Sequence, residues 1–91
     1  MKDPANHDFF EHPEKLRWAC RRGMLELDVL LGNFLSEAYP ELAREDKKRF
    51  VALLNCSDPE LFAWLMGSAT PEDSDLARIT EIIHSHALSR F

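Results

Sequence analysis

Within eight residues the chain places two arginines, a glycine and two carboxylates: Arg21, Arg22, Gly23, Glu26 and Asp28. Arginine offers a planar fork of N–H donors, and carboxylates accept them in pairs. The set is therefore equipped for charged hydrogen bonds rather than for making covalent bonds. Gly23 adopts a left-handed backbone without a Cβ penalty, and another backbone can approach it closely. Two readings stand side by side. In one, the stretch is a capped turn, with the arginines at the negative end of a first helix and Glu26 and Asp28 at the positive start of a second. In the other, the same charges beside a bare backbone are a contact site for another protein.

Other chemistry is harder to assemble. His84 and His86 are two residues apart and diverge on a helix, while His7 and His12 lie in or beside the N-terminal segment. There is no HExxH pattern and no cysteine cluster, so no metal site is expected. Cys20 and Cys56 have no histidine beside them in sequence and are read as buried free thiols in a reducing compartment. No glycine-rich phosphate loop is present. Glu72, Asp73 and Asp75 suit a helix N-terminus. A binding module without catalytic residues is the expectation.

Size and charge agree. A chain of 91 residues makes one domain. Such a domain buries roughly 60–65% of its unfolded surface, enough for a modest core but not for a roomy enclosed site. Net charge is −5. The longest basic run is Lys47-Lys48-Arg49, directly after Glu45 and Asp46, so a nucleic-acid partner is not expected. No window of about 18 apolar residues indicates a membrane span, and the first residues lack the apolar core of a secretory signal. A cytoplasmic monomer is expected.

The elements that must hold the cluster follow from periodicity. Residues 1–11 have no period and read as a mobile tail, with Phe9 and Phe10 as candidates to dock on the body. The helical domain is placed over residues 12–91. Helix one is predicted over Pro13–Arg22, with Leu16, Ala19 and Cys20 inward and Trp18 half-buried. Helix two is predicted over Met24–Tyr39. Its apolar positions, Leu27, Leu30, Leu31, Phe34, Leu35 and Ala38, give the cleanest amphipathic pattern of the chain, so it is expected to be central. Pro40 ends it. Helix three is predicted over Arg44–Cys56, poorly capped by Ala43 and lined by Phe50, Leu53 and Leu54. Helix four is predicted to be capped by Asp58, with Pro59 in its first turn and Gly67 at its end. Leu61, Phe62, Leu65 and Met66 face inward, and Trp64 is either core or rim. Helix five follows the cap-plus-proline start Thr70-Pro71-Glu72-Asp73. Leu76, Ile79, Ile82, Ile83 and Ala87 form its inner face, and it frays toward Phe91. No strand is expected. The fold is a compact all-α bundle of five helices.

Taken together, Trp18 to Asp28 and Asn55 to Met66 resemble the SdhE family, the flavinylation factors of succinate dehydrogenase. The family hallmark Arg-Gly-x-x-Glu is matched by Arg22-Gly23-Met24-Leu25-Glu26. A second hallmark, Asp-Pro-x-Leu-Phe-x-Trp-Leu, is matched by Asp58 to Leu65. The resemblance spans about residues 16 to 88; the longer N-terminal tail departs from the family. It implies an assembly factor that binds the flavoprotein subunit of succinate dehydrogenase, and in some bacteria that of fumarate reductase, and promotes covalent attachment of FAD there. The acceptor histidine belongs to the partner, and no cofactor is held permanently. It implies that Arg22 and Glu26 make charged hydrogen bonds to the partner while Gly23 permits close approach. Arg21 and Asp28 belong to the same patch. Asp58 and Trp64 are rim candidates, with Asp58 alternatively only a cap and Trp64 only core. The alternatives are a generic acidic helical adaptor, antitoxin-like in neutralising a basic partner, and a small flavin carrier.

Overall fold

In the computed structural model of the chain, residues 13–89 are described, with Pro13 described by its backbone alone. The expected tail over 1–11, with Phe9 and Phe10, lies outside them. Five α-helices follow in order: α1 Pro13–Ala19, α2 Leu25–Glu37, α3 Arg44–Leu54, α4 Asp58–Leu65 and α5 Ser74–Ser89. A 3-10 turn, Tyr39–Glu41, carries Pro40 and ends the run of α2. Among the described residues there is no strand, and no helix is long and apolar enough to cross a membrane.

The inner stripe of α2 is as expected: Leu27, Leu31 and Phe34 are wholly buried. This helix packs on α1, α4 and α5, while α5 packs on α2, α3 and α4. The centre is therefore shared between α2 and α5 rather than held by α2 alone. Phe34 and Phe50 meet with ring centroids 5.3 Å apart, and Tyr39 tilts on Phe50 at 5.4 Å. Leu61, Leu65, Ile79 and Ile83 complete the core. Trp18 does not join it. It is 75% exposed, because the seven-residue α1 packs on α2 and leaves its other face to solvent.

Several helix ends differ from expectation for local reasons. Helix α1 stops three residues short of Arg22. The Arg21 N–H turns back to the Trp18 carbonyl at 3.0 Å, and the Arg22 N–H is taken by Asp28 Oδ1 at 2.6 Å. Helix α3 stops at Leu54, with the Asn55 and Cys56 N–H groups closing tight turns onto Ala52 and Leu53. Ala43 makes no side-chain cap, as its type implies. Helix α4 is capped by Ser57, not Asp58. Ser57 Oγ accepts from the Glu60 N–H, and Glu60 Oε1 accepts from the Ser57 N–H at 3.1 Å, a reciprocal capping box. Gly67, at φ +88°, ends α4. The Ser68 N–H reaches the Ala63 carbonyl at 2.9 Å and the Gly67 N–H reaches Trp64 at 3.3 Å, a Schellman motif. Helix α5 begins at Ser74, and Asp73 caps it by accepting from the Asp75 and Leu76 N–H groups. Pro71, expected in its first turn, is instead buried ahead of it.

One buried charge ties α3 to α5. Asp46 is 8% exposed. It accepts from Arg78 Nε at 3.0 Å and from Arg49 Nη1 at 2.8 Å, and Arg49 Nε also meets Asp75 at 2.7 Å. The hydrogen bond from Arg78, with that from Arg49 behind it, holds the Asp46 carboxyl below its ordinary range. A carboxylate so stabilised contributes fully above about pH 4, where the unfolded group ionises, and contributes less as pH falls through its depressed native value. Asp46→Asn is expected to cost about 1 kcal/mol at neutral pH, roughly 4–8 °C in Tm for so small a domain. Thermal melts of both proteins should converge on acidification. A difference that stays constant from pH 7 to pH 3 would show that the charge is not what stabilises.

Candidate functional site at the α1–α2 corner

Between the end of α1 and the start of α2 the chain runs through Cys20, Arg21, Arg22, Gly23 and Met24 without helical structure. Gly23 has φ +85°, a conformation that side-chain-bearing residues rarely adopt. A Cβ built there meets nothing within 4 Å. The corner therefore needs glycine for its backbone angle, and the space above it is open. The residue is not the C-terminal cap of α1, which ended four residues earlier.

Arg22 turns inward. Its side chain is 17% exposed. Nε donates to Asp58 Oδ1 at 2.7 Å, Nη1 to the carbonyls of Ala19 at 2.9 Å and Leu54 at 3.0 Å, and Nη2 to the Cys56 carbonyl at 2.9 Å. Ala19 and Leu54 are the last residues of α1 and α3, where carbonyls lack helical partners. A cation there also faces the negative ends of both helices. Four of the five guanidinium N–H donors are thus used inside the fold. The expectation that Arg22 donates directly to a partner is corrected: it builds the corner. Asp28 does the same from the first turn of α2 by holding the Arg22 N–H at 2.6 Å. Asp58, freed from capping by Ser57, is the counter-ion of Arg22 and keeps a side chain 40% exposed.

The remaining predicted residues divide. Arg21, Gly23 and Glu26 are exposed. The Glu26 side chain makes no hydrogen bond or ion pair among the described residues. Trp64 is half-buried against the core and lines a separate groove with Pro59, Pro71 and Leu76. The structure does not gather it with Gly23.

Sequence reasoning missed exposed apolar residues beside the corner. Trp18 and Leu25 are each 75% exposed, Val29 is 52% and Met66 is 41%. Arg17, Trp18 and Arg21 surround a small depression, so the α1 side of the corner is basic and aromatic. Leu25 and Val29, four residues apart, share one face of α2 off its buried stripe. That mismatch with the core pattern was the available signal.

Among the described residues, the cysteines and histidines are occupied within the fold. Burial pushes the Cys20 thiol up to about 12, so it is not a thiolate at neutral pH. Cys56, expected to be buried like Cys20, is only half-buried, and burial raises its thiol too. His84 Nε2–H donates to the Leu65 carbonyl at 2.9 Å, and His86 meets Glu37 at 3.1 Å. Among the described residues no three His, Cys, Asp or Glu side chains converge as metal ligands.

Residues 14–87 match the family model described as Sdh5, flavinator of succinate dehydrogenase. The chain is 52% identical over 73 residues to a protein of Shewanella oneidensis named FAD assembly factor SdhE, covering 80% of this chain and 89% of that protein. It is 45% identical over 80 residues to the Vibrio cholerae protein of the same name, covering 88% and 93%. The solution structure of a UPF0350 protein superposes with a TM-score of 0.73 at 44% identity, covering 89% of this chain and 86% of that one.

The corner's dependence on Arg22 is testable by stability alone. Arg22→Ala strands three carbonyls, two of them at helix ends, and Asp58, and is expected to cost about 2–4 kcal/mol in urea unfolding. Arg22→Lys should recover less than half of the loss, since an ammonium lacks the fork that reaches four acceptors. Full recovery by lysine would mean that charge alone suffices.

Proposed function

Because this chain belongs to the Sdh5 family, the flavinators of succinate dehydrogenase, we propose that it binds the flavoprotein subunit of that enzyme and promotes covalent attachment of FAD to it. The observation that carries this reading is the corner itself. Gly23 lies open at φ +85°, with an exposed Arg21 on one side and an exposed, unpaired Glu26 on the other. Surface glycines with free space above them allow a partner's backbone to come close. A carboxylate without an internal partner is ready to accept charged hydrogen bonds.

The role is positioning. Attachment removes a proton from the flavin 8α-methyl group, and negative charge builds on the ring. Donors belonging to the flavoprotein must face that charge, with flavin and acceptor held in attack geometry. A small rigid module promotes this by binding the competent arrangement of the flavoprotein more tightly than other arrangements. The chain then contributes no catalytic group and keeps no cofactor; FAD stays with the partner. Fumarate reductase, whose flavoprotein poses the same problem, is a second client of the same surface. The factor acts as a cytoplasmic monomer, and residues 1–11 lie outside its binding domain.

Two substitutions at Gly23 separate strain from bulk. Gly23→Ala and Gly23→Arg both force a Cβ into a left-handed conformation, at about 1–2 kcal/mol. Only arginine fills the open space. Co-purification with an apo flavoprotein subunit, followed by covalent flavin fluorescence in a denaturing gel, should show near-normal flavinylation for alanine and none for arginine. Normal incorporation with Gly23→Arg would remove the corner from the interface. Glu26→Ala should weaken binding with a Tm shift below about 2 °C, as for an exposed unpaired residue. If it unfolds the domain, Glu26 serves the fold and not the partner.

A further inference from the structure

Beside the corner, α2, α5 and the end of α4 enclose a groove of about 570 Å³. Leu25, Val29, Leu30, Leu65, Met66 and Ala87 give it an apolar lining. Its polar members are Asn33, His86, which meets Glu37 at 3.1 Å, and Glu26. Glu26 is thus shared between the corner and the groove, and it brings an unpaired negative charge to the rim. Leu25, Val29 and Met66 are too exposed to serve the core, and clustered exposed aliphatic side chains mark contact surfaces.

We infer that this groove seats an apolar segment of the flavoprotein subunit that carries a lysine or arginine opposite Glu26. The inference rests on the proposed flavoprotein binding and names the chemistry of that contact. Charge selects this occupant over two others. A second copy of the chain brings a net charge of −5 toward a rim already negative. The chain's own first twelve residues carry Asp3, Asp8 and Glu11 against Lys2 alone. A partner segment with apolar side chains fills the floor, and its cation pairs with Glu26 where the corner begins. An ion pair at such a rim sets orientation while the buried aliphatic contacts supply most of the affinity.

The test uses the full chain and an apo flavoprotein subunit, with affinity measured by titration calorimetry. Val29→Glu replaces an exposed side chain on the groove wall, so Tm should hold. Affinity should fall by on the order of tenfold or more. Val29→Ser, which removes area without adding charge, should fall between. If Gly23→Arg blocks binding while Val29→Glu binds like wild type, the groove is not used and the corner reading survives. Should both bind like wild type, neither the corner nor the groove is the interface and the proposal falls; should the wild-type chain itself not bind, the flavoprotein reading fails. A wild-type dimer in sedimentation that Val29→Glu dissociates, with flavoprotein affinity unchanged, assigns the groove to a second copy and overturns the proposal. Were Val29→Glu to misfold, methyl NMR of the wild-type chain decides. Leu25, Val29 and Met66 signals must shift on adding the flavoprotein, and unshifted signals overturn the proposal equally.

Discussion

One guanidinium holds the α1–α2 corner of this molecule together. Arg22 reaches the last carbonyls of α1 and α3, the carbonyl of Cys56 and the carboxylate of Asp58. No apolar residue could replace it, because three carbonyl groups and an acid would be left facing each other without a donor. A lone charge there would also be poorly satisfied, since the acceptors lie around a plane that only a fork spans. The shape of the α1–α2 corner, including the left-handed turn at Gly23, follows from where that group is anchored. Asp28 fixes the backbone at the same residue from the other side.

The Arg-Gly-x-x-Glu stretch therefore divides its labour. Arg22 and Asp28 face the fold, while Arg21, Gly23 and Glu26 face solvent. A short motif of this kind reads as a single contact patch in sequence. In space it is a scaffold half and a display half, and the first fixes the second. The display half sits between two unlike flanks. On the α1 side stand Arg17, Trp18 and Arg21; on the α2 side stand Leu25, Val29 and Glu26. In the proposed function, such polarity orients the partner as well as holding it.

What the sequence disclosed depended on how far apart the deciding groups lie. The stripe of α2 was legible because its periodicity is local, and so was the end of α4, because Gly67 needs only its own backbone angle. The early stop of α1 was not, since Asp28 and Asp58 decide it from six and 36 residues away. Ser57 and Asp58 are both good caps in isolation. Glu60 settles the choice by its reciprocal bond with Ser57, and Arg22 claims the acid. Asp46 looked like an ordinary first-turn acid until Arg78, 32 residues on, was seen to cover it. Trp18 was placed half-buried because it lies slightly off the inner stripe of α1; how little of the bundle α1 covers could not be read from its own residues. That Gly23 turns the chain between two helices was legible from residue types, although the inward role of Arg22 was not.

The span between Arg22 and Asp58 has a temporal consequence. During synthesis the first two helices emerge well before the acid and the carbonyls that seize the arginine. Until α4 has been made and docked, the turn has only Ala19 and Asp28 to hold it, and the finished corner does not yet exist. Under the proposed function, a nascent, truncated or partly melted copy is thereby barred from engaging its target, so recognition doubles as an inspection of the helper's own completeness.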